Sequence, residues 1–387
     1  MPSNTITLPT ANGGFAPYVL RSTPHVSQLT THAFTSRVAF AAAHVVADPT
    51  VDHSDSARPA QLDWDATLAY RHHLWSLGFA VAEAMDTSQR GMGLDWVTSQ
   101  ELIRRSIQEA KSMDATVASG AGTDHLKPHP DRSIDEVIAA YEEQVGFVES
   151  LGGRIILMAS RALAACAKTP DDYVRVYDRI LAQVKQPVIV HWLGDMFDPQ
   201  LAGYWGSRDI SAAMDTCLSI LQAHANKIDG IKISLLDAQR EIDMRRQLPA
   251  GMRMYTGDDF NYPTLILGDE HGYSDALLGI FDAIAPAAAA AFHALDAGDT
   301  AAYHAILEPT VALARHIFQT PTYHYKTGIT FLAYLNGYQD RFKMVGAQET
   351  ARSVPHLAEL FRLADQADLL RDPDLALRRM RDFLGEC

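Results

Sequence analysis

The chain has few cysteines for its length and no paired spacing among them. Cys166, Cys217 and Cys387 are the only cysteines in 387 residues, and none belongs to a Cys-x-x-Cys pair. This absence excludes a disulfide framework and the common zinc and redox motifs. We expect Cys166 and Cys217 to lie in helix cores as small apolar residues. The cysteine content therefore favours a reduced, cytoplasmic setting.

Positive charge, long apolar runs and nucleotide-binding glycine motifs are also missing. The net charge of −14 argues against a nucleic-acid partner, because such a partner requires a basic face. No run approaches the length of about 18 apolar residues that a membrane-spanning helix needs. Residues 1–14 are polar and lack the basic and apolar blocks of a signal peptide. No Gly-x-Gly-x-x-Gly follows an early strand and no Gly-x-Ser-x-Gly occurs, which disfavours nucleotide-binding sheets and Ser-His-Asp catalysis.

Short apolar runs alternate with longer amphipathic stretches from residue 37 onwards, which is typical of repeated βα units. Eight such runs match the number of strands that closes a barrel. We therefore predict a TIM (β/α)8 barrel over residues 37–275, an N-terminal arm over 1–36 and a C-terminal helical extension over 276–387. A doubly wound sheet is the alternative. The predicted strands are Val38–Val46, Phe79–Ala84, Thr116–Gly120, Arg154–Ala159, Val188–Leu193, Gly230–Ser234, Arg253–Thr256 and a weaker one at His271–Ser274.

Helix caps support the same arrangement. Asp63 precedes an amphipathic stretch as a good N-cap, and Ser133 with Glu136 three residues later forms a capping-box pattern. Beyond the eighth strand the pattern is helical throughout, and the first of these helices is predicted at Asp275–Leu295.

One lysine lies in an apolar segment that reads as a buried strand. Along Gly230-Ile231-Lys232-Ile233-Ser234, an extended backbone places Gly230, Lys232 and Ser234 on one face. Desolvation in such a place lowers the pKa of a lysine and frees its amine to attack a carbonyl. Lys232 is therefore a candidate Schiff-base nucleophile. The alternative is a structural lysine whose ammonium reaches solvent or a carboxylate.

Active sites of such barrels lie at the carboxyl ends of the strands, so the polar residues there are candidates. His191 can act as an acid or base near neutral pH, and a hydrogen-bonded core histidine is the alternative. A divalent metal cluster is a further reading, although no tight ligand spacing supports it; its ligands would come from Asp86, Asp124, His125, His191 and Asp195. The predicted substrate-binding residues are Asp86, Thr87, Ser88, Asp124, His125, Ser234, Tyr255 and Asp258.

Three segments, in order, resemble motifs of the dihydrodipicolinate synthase / N-acetylneuraminate lyase family of class I aldolases. Gly230-Ile231-Lys232 resembles the family's Gly-Ile-Lys, Tyr255–Asp259 resembles the turn after its seventh strand, and Ala118–Gly122 resembles the turn after its third. The resemblance covers residues 37–338 and suggests a divergent branch of that family. It implies a TIM barrel with C-terminal helices and a Schiff base on Lys232, without a cofactor.

Two departures from the family pattern bear on the substrate. The Gly-Thr-Thr-Gly-Glu loop, which binds a keto-acid carboxylate in the family, is replaced here by Met85-Asp86-Thr87-Ser88-Gln89. Thr87 and Ser88 can stand in for the two hydroxyls, but Asp86 would repel a carboxylate and so favours a polyhydroxy or ketosugar substrate. His191 occupies the position of the family's catalytic tyrosine, and we expect it to move the proton.

The sequence thus predicts a Schiff-base-forming lyase or hydratase of carbohydrate metabolism that acts on a small keto acid or sugar-derived carbonyl compound. Its predicted catalytic residues are Lys232 and His191. One alternative is a metal-dependent sugar isomerase, epimerase or lyase in which Glu83, Asp124, His125 or His191 binds a divalent ion. A second alternative is a non-catalytic sugar-binding barrel. We expect a small-molecule partner, no nucleic acid or membrane, and a homo-oligomer.

Overall fold

Eight parallel strands close into a barrel in the computed structural model, which describes residues 4–21, 33–55 and 58–385. The barrel closes where Ala276 of its last strand pairs with Ala39 of its first. This closure confirms the predicted TIM barrel, because a doubly wound sheet stays open. The strands are β1 (Thr5–Pro9) and β2 (Phe15–Val19) of a separate hairpin, then β3 (Ala39–Ala42), β4 (Ala80–Glu83), β5 (Val117–Ala121), β6 (Arg154–Leu157), β7 (Val188–Leu193), β8 (Ile228–Ser234), β9 (Arg253–Thr256) and β10 (Asp275–Leu278).

The predicted strand at His271–Ser274 is wrong, and the other predicted strands overlap barrel strands. The closing strand β10 begins one residue later, and the segment before it is a turn. Gly272 has a φ of 143°, and the Asp269 carboxylate accepts a hydrogen bond from the His271 amide at 2.9 Å, so the chain reverses there. Because the apolar run of β10 continues into a helix without a polar break, the sequence suggested a single helix from Asp275.

Helices cover the outside of the barrel between successive strands. Asp63 accepts a hydrogen bond from the Ala66 amide as an N-cap, and Ser133 with Glu136 forms the predicted capping box. No helix in the described ranges is long and apolar enough to cross a membrane. These helices are α1 (Trp64–Ser76), α2 (Trp96–Ser112), α3 (Ile134–Ser150), α4 (Arg161–Cys166), α5 (Pro170–Gln183), α6 (Ile210–Ala223), α7 (Ala238–Arg245), α8 (Tyr262–Leu267) and α9 (Ile280–Asp296).

The C-terminal extension is helical, as predicted. Its helices are α10 (Thr300–Ile317), α11 (Tyr325–Leu335), α12 (Val354–Gln366) and α13 (Pro373–Leu384). Every residue of α11 is buried, because α9, α12 and α13 all contact it. Since β10 and α9 complete the barrel, we place the start of the extension after Asp296 and not at residue 276.

The N-terminal arm contains a β-hairpin that the sequence analysis did not predict. Strands β1 and β2 are antiparallel, and the Thr10–Gly14 turn joins them. The Tyr18 hydroxyl donates a hydrogen bond to Asp365 of α12 at 2.6 Å, which attaches the hairpin to the extension. The rest of the predicted arm lies partly outside the described residues.

A fully buried ion pair joins the first barrel helix to the second barrel strand. The Arg71 guanidinium of α1 donates two hydrogen bonds of 2.9 Å to the Glu83 carboxylate of β4, and both side chains are 0% exposed. Ser106 of α2 donates a third hydrogen bond to the same carboxylate. The side chain of Glu83 therefore points out of the barrel, away from its interior.

We expect Glu83→Ala to destabilise the fold by about 3–5 kcal/mol, because it leaves the buried Arg71 charge without a partner. Glu101 is a matched control: it pairs with Arg104 and Arg105 on the surface of α2, and Glu101→Ala should cost less than about 1 kcal/mol. Chemical denaturation followed by circular dichroism measures both. Equal losses of stability in the two variants would contradict the assignment.

Candidate active site at the carboxyl end of the barrel

Lys232 points into the barrel near the carboxyl end of β8. The strand alternation places Gly230, Lys232 and Ser234 inside the barrel, as predicted, while the isoleucines between them join the outer core. Gly257 follows β9 and lets the chain pass close to this lysine. A Cβ at Gly257 would lie 2.8 Å from Cε of Lys232 and closer still to the Ser234 hydroxyl. A glycine is therefore required beside the lysine.

The Lys232 ammonium is desolvated, with carboxylates nearby and no direct partner. The residue is 7% exposed, and burial lowers the pKa of its side chain. The negative charges of Asp86 and Asp259 oppose this decrease. Within the part of the chain that the structure describes, Lys232 makes no hydrogen bond or ion pair at contact distance. Its amine is thus free to react.

His191 lies beside Lys232 on the neighbouring strand β7 and is 0% exposed. Its Nε2 is 3.3 Å from the Ser234 hydroxyl, and its Nδ1 is 3.9 Å from the Asp86 carboxylate and has no hydrogen-bond partner. Burial and the Lys232 charge hold the pKa of the imidazole well below its ordinary value. The structure therefore brings together Lys232, His191, Asp86 and Ser234. The neutral imidazole of His191 lies between the Ser234 hydroxyl and the Asp86 carboxylate.

The hydroxyls of Thr87 and Ser88 are engaged by the protein itself. The turn Asp86–Ser88 follows β4 and turns the Asp86 carboxylate towards the site. The Thr87 hydroxyl is 2.9 Å from the Tyr325 hydroxyl, and Ser88 donates to the Ala43 carbonyl at 2.8 Å. Both side chains are buried and hold the turn against the first barrel strand and α11. This geometry does not support their predicted contact with the substrate.

Asp124 and His125 point in different directions from the same loop. Asp124 lines the cavity and forms an ion pair with Arg90. Burial would raise the pKa of Asp124, but the charge and hydrogen bonds of Arg90 lower it to about 2. His125 instead bonds Gln144 at 2.8 Å and lies over the Trp96 ring, outside the cavity lining. The predicted substrate contact is therefore not supported for His125.

Tyr255 and Asp258 do not reach the site. The Tyr255 side chain points down the barrel, where its hydroxyl donates to Asp229 near the start of β8 at 2.6 Å. The Asp258 carboxylate closes its own loop by accepting hydrogen bonds from the Phe260 and Asn261 amides. Their predicted roles in substrate binding are therefore not supported by the geometry.

Asp259, the neighbour of Asp258, is the residue that sequence reasoning missed. It is 3% exposed and accepts a hydrogen bond from the Ile280 amide at the start of α9, at 2.8 Å. Burial raises the pKa of Asp259 to about 7, while this hydrogen bond and the Lys232 charge oppose the increase. The sequence shows an Asp-Asp pair after the seventh barrel strand. It does not show which of the two aspartates interacts with the lysine.

A cavity of about 150 Å³ opens at this end of the barrel. The ionisable residues of its lining are three acids, two arginines and a histidine: Asp86, Asp124, Asp198, Arg90, Arg161 and His191. Arg161 pairs with Asp198 and donates to the Gly91 carbonyl at 3.1 Å. Such a lining can hold a small, polar molecule in a fixed orientation.

Asp86 and His191 of the metal alternative lie 3.9 Å apart, but the other residues of that alternative do not complete a ligand set with them. Glu83 is turned outwards to Arg71, Asp124 is paired with Arg90, and His125 bonds Gln144 of α3. In residues 4–21, 33–55 and 58–385, no group of three or more His, Cys, Asp or Glu side chains is placed to hold a metal ion. The described residues therefore offer no set of ligands for the metal ion of the metal-dependent alternative.

Helix α11 of the extension contributes a second lysine that the sequence analysis did not single out. Lys326 is 4% exposed, and burial lowers its pKa to about 8, with Asp86 opposing the decrease. Asp86 therefore interacts with both Lys326 and Lys232. The search for polar residues at the carboxyl ends of strands could not find Lys326, because this lysine lies on a helix far along the chain.

Solved structures of similar fold come from several organisms. A putative dihydrodipicolinate synthetase from Pseudomonas aeruginosa has a TM-score of 0.64 at 15% identity, and the match covers 86% of this chain and 99% of that one. A prophage protein of the dihydrodipicolinic acid synthase family from E. coli K12, in complex with pyruvate, has a TM-score of 0.67 at 14% identity, covering 86% and 99%. Dihydrodipicolinate synthase from Thermotoga maritima has a TM-score of 0.64 at 14% identity, covering 88% and 100%.

These likenesses establish the fold. No curated protein matches the chain significantly. A family model described as "Protein of unknown function (DUF993)" matches residues 6–386, nearly the whole length. The chain therefore belongs to this family, and its barrel has the fold of the dihydrodipicolinate synthase structures.

Proposed function

We propose that the protein is a lyase or hydratase that forms a Schiff base between Lys232 and a small carbonyl compound. The observation that carries this proposal is the buried Lys232 amine, which has a lowered pKa and no direct partner among the described residues. A lysine in this state is a nucleophile for carbonyl carbon. The cavity is lined by Asp86 and by His191, the partner of Lys232 across β7 and β8, and it offers room for a small substrate.

Formation of the Schiff base moves two protons from the Lys232 nitrogen to the carbonyl oxygen. The Lys232 ammonium first gives a proton to Asp259, whose pKa of about 7 allows exchange near neutral pH. The free amine then attacks the carbonyl carbon, and the nitrogen passes one of its protons to the former carbonyl oxygen. The protonated Asp259 gives this oxygen its second proton, and the oxygen leaves as water. The products are an iminium on Lys232 and one water molecule, with no net change in protons.

The iminium then accepts the electron pair of the bond that breaks. In carbon–carbon cleavage, a base removes the proton of a substrate hydroxyl, the adjacent bond breaks, and the electron pair forms an enamine. In dehydration, the base removes a carbon-bound proton next to the iminium, and hydroxide leaves as water after protonation. His191 is suited to be this base, because its pKa is lowered and its Nδ1 is unpartnered.

The substrate class is a small keto acid or a sugar-derived carbonyl compound. Pyruvate is the first probe, because the E. coli structure of similar fold contains it. The proposed chemistry requires no metal or other cofactor. Assembly into a homo-oligomer and a place in carbohydrate metabolism stay predictions.

We expect sodium cyanoborohydride with pyruvate to add a stable adduct to Lys232, because reduction fixes the iminium. Intact-mass spectrometry followed by peptide mapping locates the adduct. Lys232→Ala should abolish it, whereas Lys185→Ala, which removes an exposed lysine, should leave it unchanged. If no carbonyl compound in a panel of keto acids and ketosugars labels Lys232, the Schiff-base proposal is wrong.

We expect the rate of adduct formation to fall about tenfold per pH unit below pH 7, because Asp259 accepts a proton only when ionised. Its raised pKa means that it is protonated below about 7 and ionised above it. Asp259→Asn should slow the reaction by roughly 10²–10⁴ and move this decrease away from pH 7, because the rate then follows the ionisation of Lys232 alone. The control Asp195→Asn, at an exposed site, should keep both the rate of adduct formation and its decrease below pH 7. An unaltered decrease below pH 7 in Asp259→Asn would show that another group accepts the proton.

A further inference from the structure

Two lysines from distant parts of the chain interact electrostatically with one carboxylate of the cavity lining, that of Asp86. Lys232 comes from β8 and Lys326 from the second position of α11. The charge of Asp86 acts on both ammonium groups. Only Lys232 has a role in the proposed Schiff-base chemistry. Lys326 is equally buried, so its presence at the mouth needs a separate reason.

The Lys326 ammonium is poorly satisfied by the protein. Its Nζ donates to the Tyr323 carbonyl at 3.2 Å and lies 3.5 Å from the Met92 sulfur. It also lies 4.5 Å from the centre of the Tyr325 ring. An ammonium has three donors, and a thioether is a weak acceptor, so among the described residues one carbonyl oxygen is its only strong acceptor. Over the ranges that the structure describes, no carboxylate lies within 4.0 Å of it.

A second cation lies on the same side of the mouth. The Arg161 guanidinium donates to the Gly91 carbonyl, next to the methionine that Lys326 contacts. Its positive charge acts on Lys326 and lowers the pKa of that lysine. Arg161 lines the cavity together with Asp86 and its ion-pair partner Asp198. An anion placed there would gain from the buried Lys326 ammonium and from the partly exposed Arg161 guanidinium.

We propose that Lys326, with Arg161 beside it, binds an anionic group of the substrate, either a carboxylate or a phosphate. The substrate is then an acidic carbonyl compound, with its carbonyl carbon at Lys232 and its anionic group towards α11. This inference rests on the proposed function and adds the substrate class. Asp86 does not prevent it, because two lysines already offset the charge of that carboxylate.

Two pairs of ligands, matched in shape and differing in charge, test this inference without Schiff-base chemistry. Lactate is compared with 1,2-propanediol, and glycerol 3-phosphate with glycerol, by isothermal titration calorimetry. We expect one of the two anions to bind roughly tenfold tighter than its neutral partner, the effect of a charge-assisted hydrogen bond. The tighter anion identifies the group as a carboxylate or a phosphate.

Variants at Lys326 assign the effect to this residue. Lys326→Met keeps the length and apolar stem, and should remove the preference for the anion while leaving the neutral ligand unaffected. Lys326→Arg should retain most of the preference, and Lys185→Met, at an exposed site, should retain all of it. Equal losses for anion and neutral ligand, or an unchanged preference in Lys326→Met, would overturn the inference.

Failure of the inference and failure of the proposed function have different signatures. None of these ligands has a ketone or aldehyde group, so their binding does not depend on Lys232 as a nucleophile. Adduct formation on Lys232 without an anion preference at Lys326 overturns only the substrate class. An anion preference without any adduct overturns the Schiff-base reaction and leaves an anion site. A wild-type protein that binds both anions no better than their neutral partners also overturns the inference.

Discussion

The burial of one ammonium group inside the barrel is the constraint on which the rest of the site depends. A charged amine in an apolar interior is unfavourable by several kcal/mol unless other charges compensate. Here Asp86 and Asp259 act on Lys232 from the ends of two other strands, without a direct ion pair. The amine thus stays available, whereas the buried Arg71 and Glu83 form a direct ion pair. The same fold therefore buries one ion pair that stabilises it and one lysine whose amine stays available for reaction.

The C-terminal extension completes this site and does not merely cover the barrel. Tyr325 at the start of α11 bonds Thr87 and stacks on Phe318, which fixes the turn that carries Asp86. Gly279, after β10, allows this contact, because a Cβ there would come within 3.4 Å of the Thr87 hydroxyl and of both aromatic rings. The position of Asp86, and hence the electrostatics of Lys232, depends on residues from three distant segments.

The barrel and the residues inside its strands could be predicted, because the period of two along a strand sets which side chains face inwards. Lys232, Ser234 and His191 follow this rule. Other positions depend on information that a single sequence does not contain. The direction of Tyr255 along the barrel axis, the choice between Asp258 and Asp259 in a turn, and the approach of Lys326 from a remote helix all follow from tertiary packing. The strand β10 was missed because its apolar residues run directly into α9.

A titration of Lys232 decides whether its buried amine is available as a nucleophile. Nuclear magnetic resonance of protein with isotope-labelled lysine side chains, titrated with acid and base, gives the pKa of this lysine, and Lys232→Arg identifies the signal. The account predicts a midpoint below the ordinary lysine value of about 10.4, and a still lower midpoint in Asp86→Asn, because one compensating charge is lost. A midpoint at or above the ordinary value would show that Lys232 is a stably paired ammonium, which would contradict its role as a nucleophile.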